Sequence, residues 1–201
     1  YVYEGFSENE TSVSRTILLN PQESNRSYSS PGSQFNKSML DSDSAWYPNI
    51  NDANQYMTID LYNIKTVSGT ITQGRKNAYD RVKQYKVSFS EDNSSYLYIT
   101  TSGSSVNSND AQVFIGNTMD VETKITNTFN STVQARYIRF HPTQWHGHIA
   151  LRAGINININ TITLNPPEIN RSYSSPFRGG VPGSYNNTSM LDANNAWYSA
   201  I

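Results

Sequence analysis

An internal repeat sets the size of the folding unit in this chain. Residues 16–31 read TILLNPQESNRSYSSP, and residues 161–176 read TITLNPPEINRSYSSP. After an insertion in the second copy at 176–181, the match resumes between residues 31–50 and residues 182–201. The copies are 145 residues apart before the insertion and 151 after it. This spacing is that of a whole domain and not of a short solenoid repeat.

The repeat predicts three parts of the chain. We expect residues 1–19 to be the tail of a preceding copy plus a connector, with YVYEGF at 1–6 as its closing strand. Residues 20–157 form one complete domain, and residues 158–201 form a connector and the first part of a second copy. A fragment of that length cannot bury its own hydrophobic face, so we expect a neighbouring copy to complete it.

Alternation of apolar and polar residues predicts an all-β fold. The period of two is that of a half-buried strand, and it holds for three sets: Met57, Ile59 and Leu61; Tyr85, Val87 and Phe89; Ile138 and Phe140. Polar turn clusters such as 91–95 and 103–110 separate the strands. No window carries a helical apolar stripe, so we expect a β-sandwich.

Composition limits the partners of the chain. The net charge is -1 with only 15% charged residues, and no long basic tail is present, so nucleic-acid binding is not expected. There is no cysteine, which excludes a disulfide scaffold and thiolate chemistry. The Asn-X-Ser/Thr acceptor sequence occurs at Asn9, Asn25, Asn36, Asn93, Asn130, Asn170, Asn186 and Asn187. We therefore expect a secreted or cell-surface glycoprotein.

Several segments, in order, resemble the discoidin family, also called the coagulation factor V/VIII C-type domain. They are NQYMTIDL (54–61), VSGTITQGR (67–75), VKQYKVSFSEDN (82–93), FIGNT (114–118) and ARYIRFHPTQWHGHIALR (135–152). RSYSS (26–30) and SAWYP (44–48) match the opening segment of the family. The resemblance implies a jelly-roll sandwich or barrel of about eight antiparallel strands, in tandem copies here. It also implies that loops called spikes form the ligand face at one end.

The resemblance places the spikes at about 28–36, 49–55 and 75–81. The third spike is the most basic stretch of the chain, with four cations and one acid within residues 75–83. Its side chains Lys76, Asn77, Tyr79 and Arg81 could contact anionic or sugar groups, although Arg75 closes the TQGR motif and reads as structural. Asn51 in the second spike is a further candidate.

The first spike argues against insertion into lipid. Membrane-binding relatives present large apolar residues there, whereas this copy offers Phe35 beside the acceptor sequence at Asn36. A glycan on Asn36 would obstruct a bilayer, so membrane lipid is a disfavoured partner.

Two histidines and two acids are weaker site candidates. His146 and His148 would share one face of a strand and could contact sugar, but no third ligand for zinc is near in the sequence. Trp46 and Trp145 read as core. Asp41 and Asp43 could hold the structural calcium that carbohydrate-binding relatives carry in this loop, since oxygen ligands at alternating positions suit calcium. An ordinary turn is the competing interpretation.

No catalytic motif is present: there is no nucleophile elbow, phosphate loop or metalloprotease helix. We expect a non-catalytic adhesion or binding protein that recognises extracellular glycans or matrix glycoproteins through its spikes. The alternative is a structural protomer of an extracellular filament, in which neighbouring copies complete each other's sandwich. An accessory carbohydrate module beside a catalytic domain would need further sequence.

Overall fold

The computed structural model describes residues 11–30 and 37–163, with no side chains at 11, 12 or 161–163. Within these ranges the chain forms nine strands and two short 3-10 turns. The strands are β1 Thr11–Leu19, β2 Arg26–Tyr28, β3 Met57–Gln73, β4 Arg81–Ser90, β5 Leu97–Thr100, β6 Gly103–Ser105, β7 Phe114–Ile115, β8 Ile125–His146 and β9 Arg152–Thr163. The all-β prediction is confirmed.

The described strands are hydrogen-bonded in the order β1-β9-β3-β8-β4-β5-β6, with β2 added to β3 and β7 added to β4. The β3–β8, β3–β9 and β4–β8 pairings are antiparallel. β3 and β8 are long strands whose register shifts between Asp60 and Lys65. Because bulges bend a strand, we expect both strands to bend at this shift.

The core includes most of the side chains that alternation placed inward, although Phe89 is only partly buried. Met57, Ile59, Tyr85, Ile138 and Phe140 are all fully buried, and they belong to one hydrophobic cluster. Trp46 is buried in the same cluster, while Trp145 is half-buried and packs against it. Among the described residues, no helix is long and apolar enough to cross a membrane.

The predicted connector at 7–19 contains regular structure, because residues 11–19 form β1. β1 neighbours β9, and the hydroxyl of Thr16 donates to Oδ1 of Asn158 at 2.9 Å. Residues 16–159 form one compact unit. The predicted tail of a preceding copy at 1–6 and most of the predicted second copy lie outside the described residues, so the division into tandem copies stays a prediction.

The outer face of the sheet carries a cluster of rings around one arginine. The guanidinium carbon of Arg139 lies 4.1 Å from the ring centre of Tyr56 and 3.8 Å from that of Tyr96. Nε of Arg139 donates to the Thr58 hydroxyl at 3.0 Å, and His141 packs on the ring of Tyr56. We call Tyr56, Tyr96, Arg139 and His141 the sheet cluster. It links β3, β8 and the loop after β4.

Candidate functional site

A second arginine–tyrosine–histidine cluster lies where Tyr47, just before the second spike, and the third spike meet the turn after β8. The rings of Tyr47 and His148 stack with centres 3.8 Å apart and planes inclined by 11°. The guanidinium of Arg75 lies 5.3 Å from the Tyr47 ring centre and 3.6 Å from the Asp80 carboxylate. We call Tyr47, Arg75, Asp80 and His148 the spike cluster.

Backbone hydrogen bonds fix this cluster. The Arg75 N–H donates to the Asp80 carbonyl at 3.0 Å, which closes the third spike into a loop. The Asp80 carboxylate accepts from the His148 N–H at 3.1 Å. Between β8 and His148 the chain turns at Gly147, whose φ of +66° favours glycine. A Cβ at Gly147 would collide with the Asp80 carboxylate, so the turn can pack closely only without a side chain.

Asn51 connects the second spike to the same turn. Its Oδ1 accepts from the Ile149 N–H at 2.9 Å, and its Nδ2 donates to the Gly147 carbonyl at 3.4 Å. Oδ1 and Nδ2 of Asn51 therefore both form hydrogen bonds to the backbone, and the side chain positions the turn. Burial, reinforced by the nearby Asp80 charge, raises the pKa of the Tyr47 hydroxyl.

The tip of the third spike is exposed. Tyr79 is 83% exposed, and Lys76 and Asn77 are also exposed. Asn77 has a φ of +58°, a conformation that asparagine tolerates better than most residues. A groove of about 440 Å³ lies beside the tip, lined by Asn77, Ala78, Tyr79, Val121 and Glu122.

Arg81 is a structural residue, not part of the exposed tip. Its Nη atoms donate to the carbonyls of Tyr79 at 2.8 Å and Thr118 at 3.0 Å. These bonds hold the descending side of the spike against the 117–123 segment. The prediction of ligand contact by Arg81 therefore has no support in its geometry, and the side chain positions the groove instead.

His146 and His148 do not share a strand face. β8 ends at His146, which is exposed, and the turn at Gly147 carries His148 into the stack with Tyr47. In the described part of the chain no three His, Cys, Asp or Glu side chains are grouped as metal ligands. The prediction that His146 and His148 share one strand face is therefore wrong, because it assumed that β8 continues through Gly147.

Asp41 and Asp43 do not fit a calcium site. The Asp41 carboxylate pairs with Lys124 at 2.6 Å, and the Asp43 carboxylate pairs with Lys37 at 3.0 Å. Between these loops the fully buried Arg152 side chain donates to the carbonyls of Ser42, Gly74 and Val121 at 2.6–3.0 Å. A guanidinium thus supplies the positive charge where clustered carbonyls would otherwise favour a metal cation. No calcium is needed to satisfy this loop.

The acceptor asparagines differ in access. Asn93 and Asn130 are exposed, although Nδ2 of Asn130 donates to the Thr101 carbonyl at 2.8 Å. Nδ2 of Asn25 is fully covered and has no hydrogen-bond partner, so the folded domain does not present the atom to which a glycan would be attached. Phe35, Asn9, Asn36, Asn170, Asn186 and Asn187 lie outside the described residues.

Sequence reasoning missed Tyr47, Arg75 and Asp80 as parts of one site. Tyr47 lies within the SAWYP segment, Asp80 is the single acid in a basic loop, and Arg75 ends the TQGR motif. None of these positions carries a local signal, since the cluster forms only when the SAWYP segment, the third spike and the turn after β8 come together. The third spike, in contrast, was placed by the family resemblance, and its charge and its tyrosine made it a candidate contact surface.

An antiparallel β-sandwich with polar and aromatic loops at one end defines a module that presents a loop-built surface. The family model of the F5/8 type C domain matches residues 21–155. The chain belongs to the F5/8 type C domain family.

Relatives and solved structures agree with this assignment. The chain is 35% identical to mouse coagulation factor VIII over 113 residues, which cover 55% of this chain and 5% of the relative. It is 31% identical to mouse retinoschisin over 152 residues, 74% of this chain and 64% of the relative. Discoidin II of Dictyostelium discoideum superimposes with a TM-score of 0.52 at 22% identity, covering 76% of this chain and 58% of that one. The chain thus spans less than two-thirds of each of these relatives.

Proposed function

We propose that this domain is a non-catalytic binding module that recognises extracellular glycans at the tip of the third spike. The observation that carries the proposal is Tyr79, whose ring is 83% exposed beside a groove of about 440 Å³. An aromatic ring left in water at a groove offers an apolar face and a polar edge. The spike cluster fixes the base of the same loop, so the tip is presented in a defined position.

The groove lining favours a sugar. The amide of Asn77 and the carboxylate of Glu122 can hydrogen-bond to hydroxyl groups, and the Tyr79 ring can stack on the apolar face of a pyranose. The exposed Lys76 beside them adds a cation that would favour acidic sugars. The secreted, glycosylated character proposed for the chain agrees with this surface, with Asn93 and Asn130 as exposed acceptors.

The test is glycan binding by the full chain with lactose and sialyllactose immobilised as probes. We expect Tyr79→Ala to weaken binding about tenfold, the loss of one buried aromatic contact at a binding site. Val106→Ala is the matched control, because Val106 is another exposed apolar side chain, 79% exposed, in the loop after β6. Unchanged binding of Tyr79→Ala would refute the proposal. If the chain bound phosphatidylserine vesicles and neither sugar, the ligand would be a lipid and not a glycan.

A second candidate function is self-assembly of tandem copies. Its supporting observation is that β9 continues without a break to Thr163, and residues 161–163 repeat residues 16–18 of β1. A strand that closes one copy can therefore lead directly into the opening strand of the next. Negative-stain electron microscopy of natively purified protein tests this: filaments with a repeat of one domain length support it, and separate particles argue against it.

A further inference from the structure

Tyr62 is held in a conformation that a bulky side chain rarely adopts. Its φ is +68°, in the left-handed region, where a Cβ crowds the following carbonyl. The Asp60 carboxylate fixes this conformation by accepting from the Tyr62 N–H at 2.8 Å. Glycine would adopt the same backbone without strain, so the tyrosine is present in spite of the local backbone.

Packing does not explain the tyrosine. Tyr62 is 56% exposed, and its neighbour Ile64 is 50% exposed. Both lie in the register shift between Asp60 and Lys65, where β3 separates from β8. Bulges often re-aim side chains next to functional sites, and strained residues cluster at such sites.

Tyr62 lines a groove of about 450 Å³ whose composition suits a sugar ring. Leu19 contributes apolar surface, and Gln22, Asn63 and Lys65 contribute amides and a cation. The side chain of Gln22 makes no capping hydrogen bond. Lys65 forms no ion pair with any residue in the described ranges. An exposed tyrosine ring, two amides and an ammonium group are therefore available to one ligand.

The groove is separate from the spikes. Tyr62 lies at the bulge of β3, between the end that runs to the second spike and the end that runs to the third. A ligand at Tyr62 therefore cannot share the Tyr79 groove. This position gives the domain a second surface that the recognition proposed for the spikes does not use.

We propose that the groove at Tyr62 is a second saccharide site, in which a pyranose ring stacks on the Tyr62 ring. Gln22, Asn63 and Lys65 hydrogen-bond its hydroxyl or carboxylate groups. The site is independent of the spike surface, so either can exist without the other.

The test uses nuclear magnetic resonance titration of the full chain with the methyl glycosides of galactose, mannose, N-acetylglucosamine and glucuronic acid. We expect at least one of them to shift the amide resonances of Tyr62, Asn63 and Lys65. A response confined to the glucuronide identifies an acidic sugar through Lys65, and a response to the other three identifies a neutral one. No shift at these amides with any of the four at millimolar concentration overturns the proposal.

Two variants separate binding from folding. Tyr62→Gly should abolish the shifts and yet raise the melting temperature by about 1–3 °C, because the left-handed strain is relieved. Gln22→Ala should weaken binding with an unchanged melting temperature. A fall of several degrees in Tyr62→Gly would assign the ring a packing role and overturn the proposal. Tyr79→Ala must leave the Tyr62 shifts in place, which distinguishes this site from the spike site.

Discussion

The two arginine–tyrosine–histidine clusters contain the same residue types in different settings. In the sheet cluster, Arg139 lies between two rings at 3.8–4.1 Å and forms no ion pair among the described residues. In the spike cluster, Arg75 lies 5.3 Å from one ring and also contacts the Asp80 carboxylate. The first cluster joins strands and the second joins loops. The same chemistry therefore stabilises the sandwich in one place and positions a surface in the other.

The largest expected difference between the clusters is in stability. Arg139→Ala removes two ring contacts and a charged hydrogen bond to Thr58, and we expect it to lower the free energy of unfolding by about 3–4 kcal/mol. Arg75→Ala removes one longer ring contact and a part-exposed ion pair, for about 1 kcal/mol or less. Urea denaturation measures both values.

For glycan affinity, the order of the Arg139→Ala and Arg75→Ala variants should be the reverse of their order in stability loss. Arg75→Ala should weaken binding, whereas Arg139→Ala, measured where it is still folded, should bind as the parent does. Equal losses of stability in the two variants would show that the clusters do not differ in role.

The sequence predicts local patterns along one strand better than contacts between distant segments, and each cluster depends on both. Alternation identified the strands that carry Arg139 and His141, because a period of two is a local property. The stacking of Tyr56 and Tyr96 on Arg139 depends on three separate segments and has no local signal. For the same reason, Asp41 was considered as a calcium ligand beside the interpretation as an ordinary turn: the sequence does not show that Arg152, far along the chain, donates to the carbonyl cluster. The left-handed backbone of Tyr62 likewise has no signal in the sequence, since it depends on the bulge between Asp60 and Lys65.

Acid should destabilise the sheet cluster. Burial, followed by the charges of Arg139 and Lys86, lowers the pKa of His141 to about 4. An unfolded histidine takes up a proton near pH 6.5, so between pH 6.5 and about 4 the unfolded chain binds more protons than the folded one. The contribution of neutral His141 to the free energy of unfolding is fully present above pH 6.5. About 2–3 kcal/mol of the free energy of unfolding is lost as the pH falls through this window.

The measurement is urea denaturation between pH 4 and pH 7, with His141→Gln as the control. The variant should have a flatter pH profile in this window than the parent. If parent and variant had parallel profiles, the pH dependence would have to come from groups outside the sheet cluster.

A smaller loss of stability than at Arg139 or His141 is expected at the turn of the spike cluster. Gly147→Ala places a methyl group against the Asp80 carboxylate in a left-handed conformation, and we expect a loss of about 1–2 kcal/mol. The displaced carboxylate also loses the His148 N–H and shifts away from Arg75, so glycan affinity at the third spike should fall more than this stability loss suggests. The matched control is Gly103→Ala, because Gly103 also has a positive φ, +148°, but has open space around it. If both variants bound glycan equally well, the base of the third spike would not position the exposed Tyr79. The spike cluster would then have a purely structural role, like the sheet cluster.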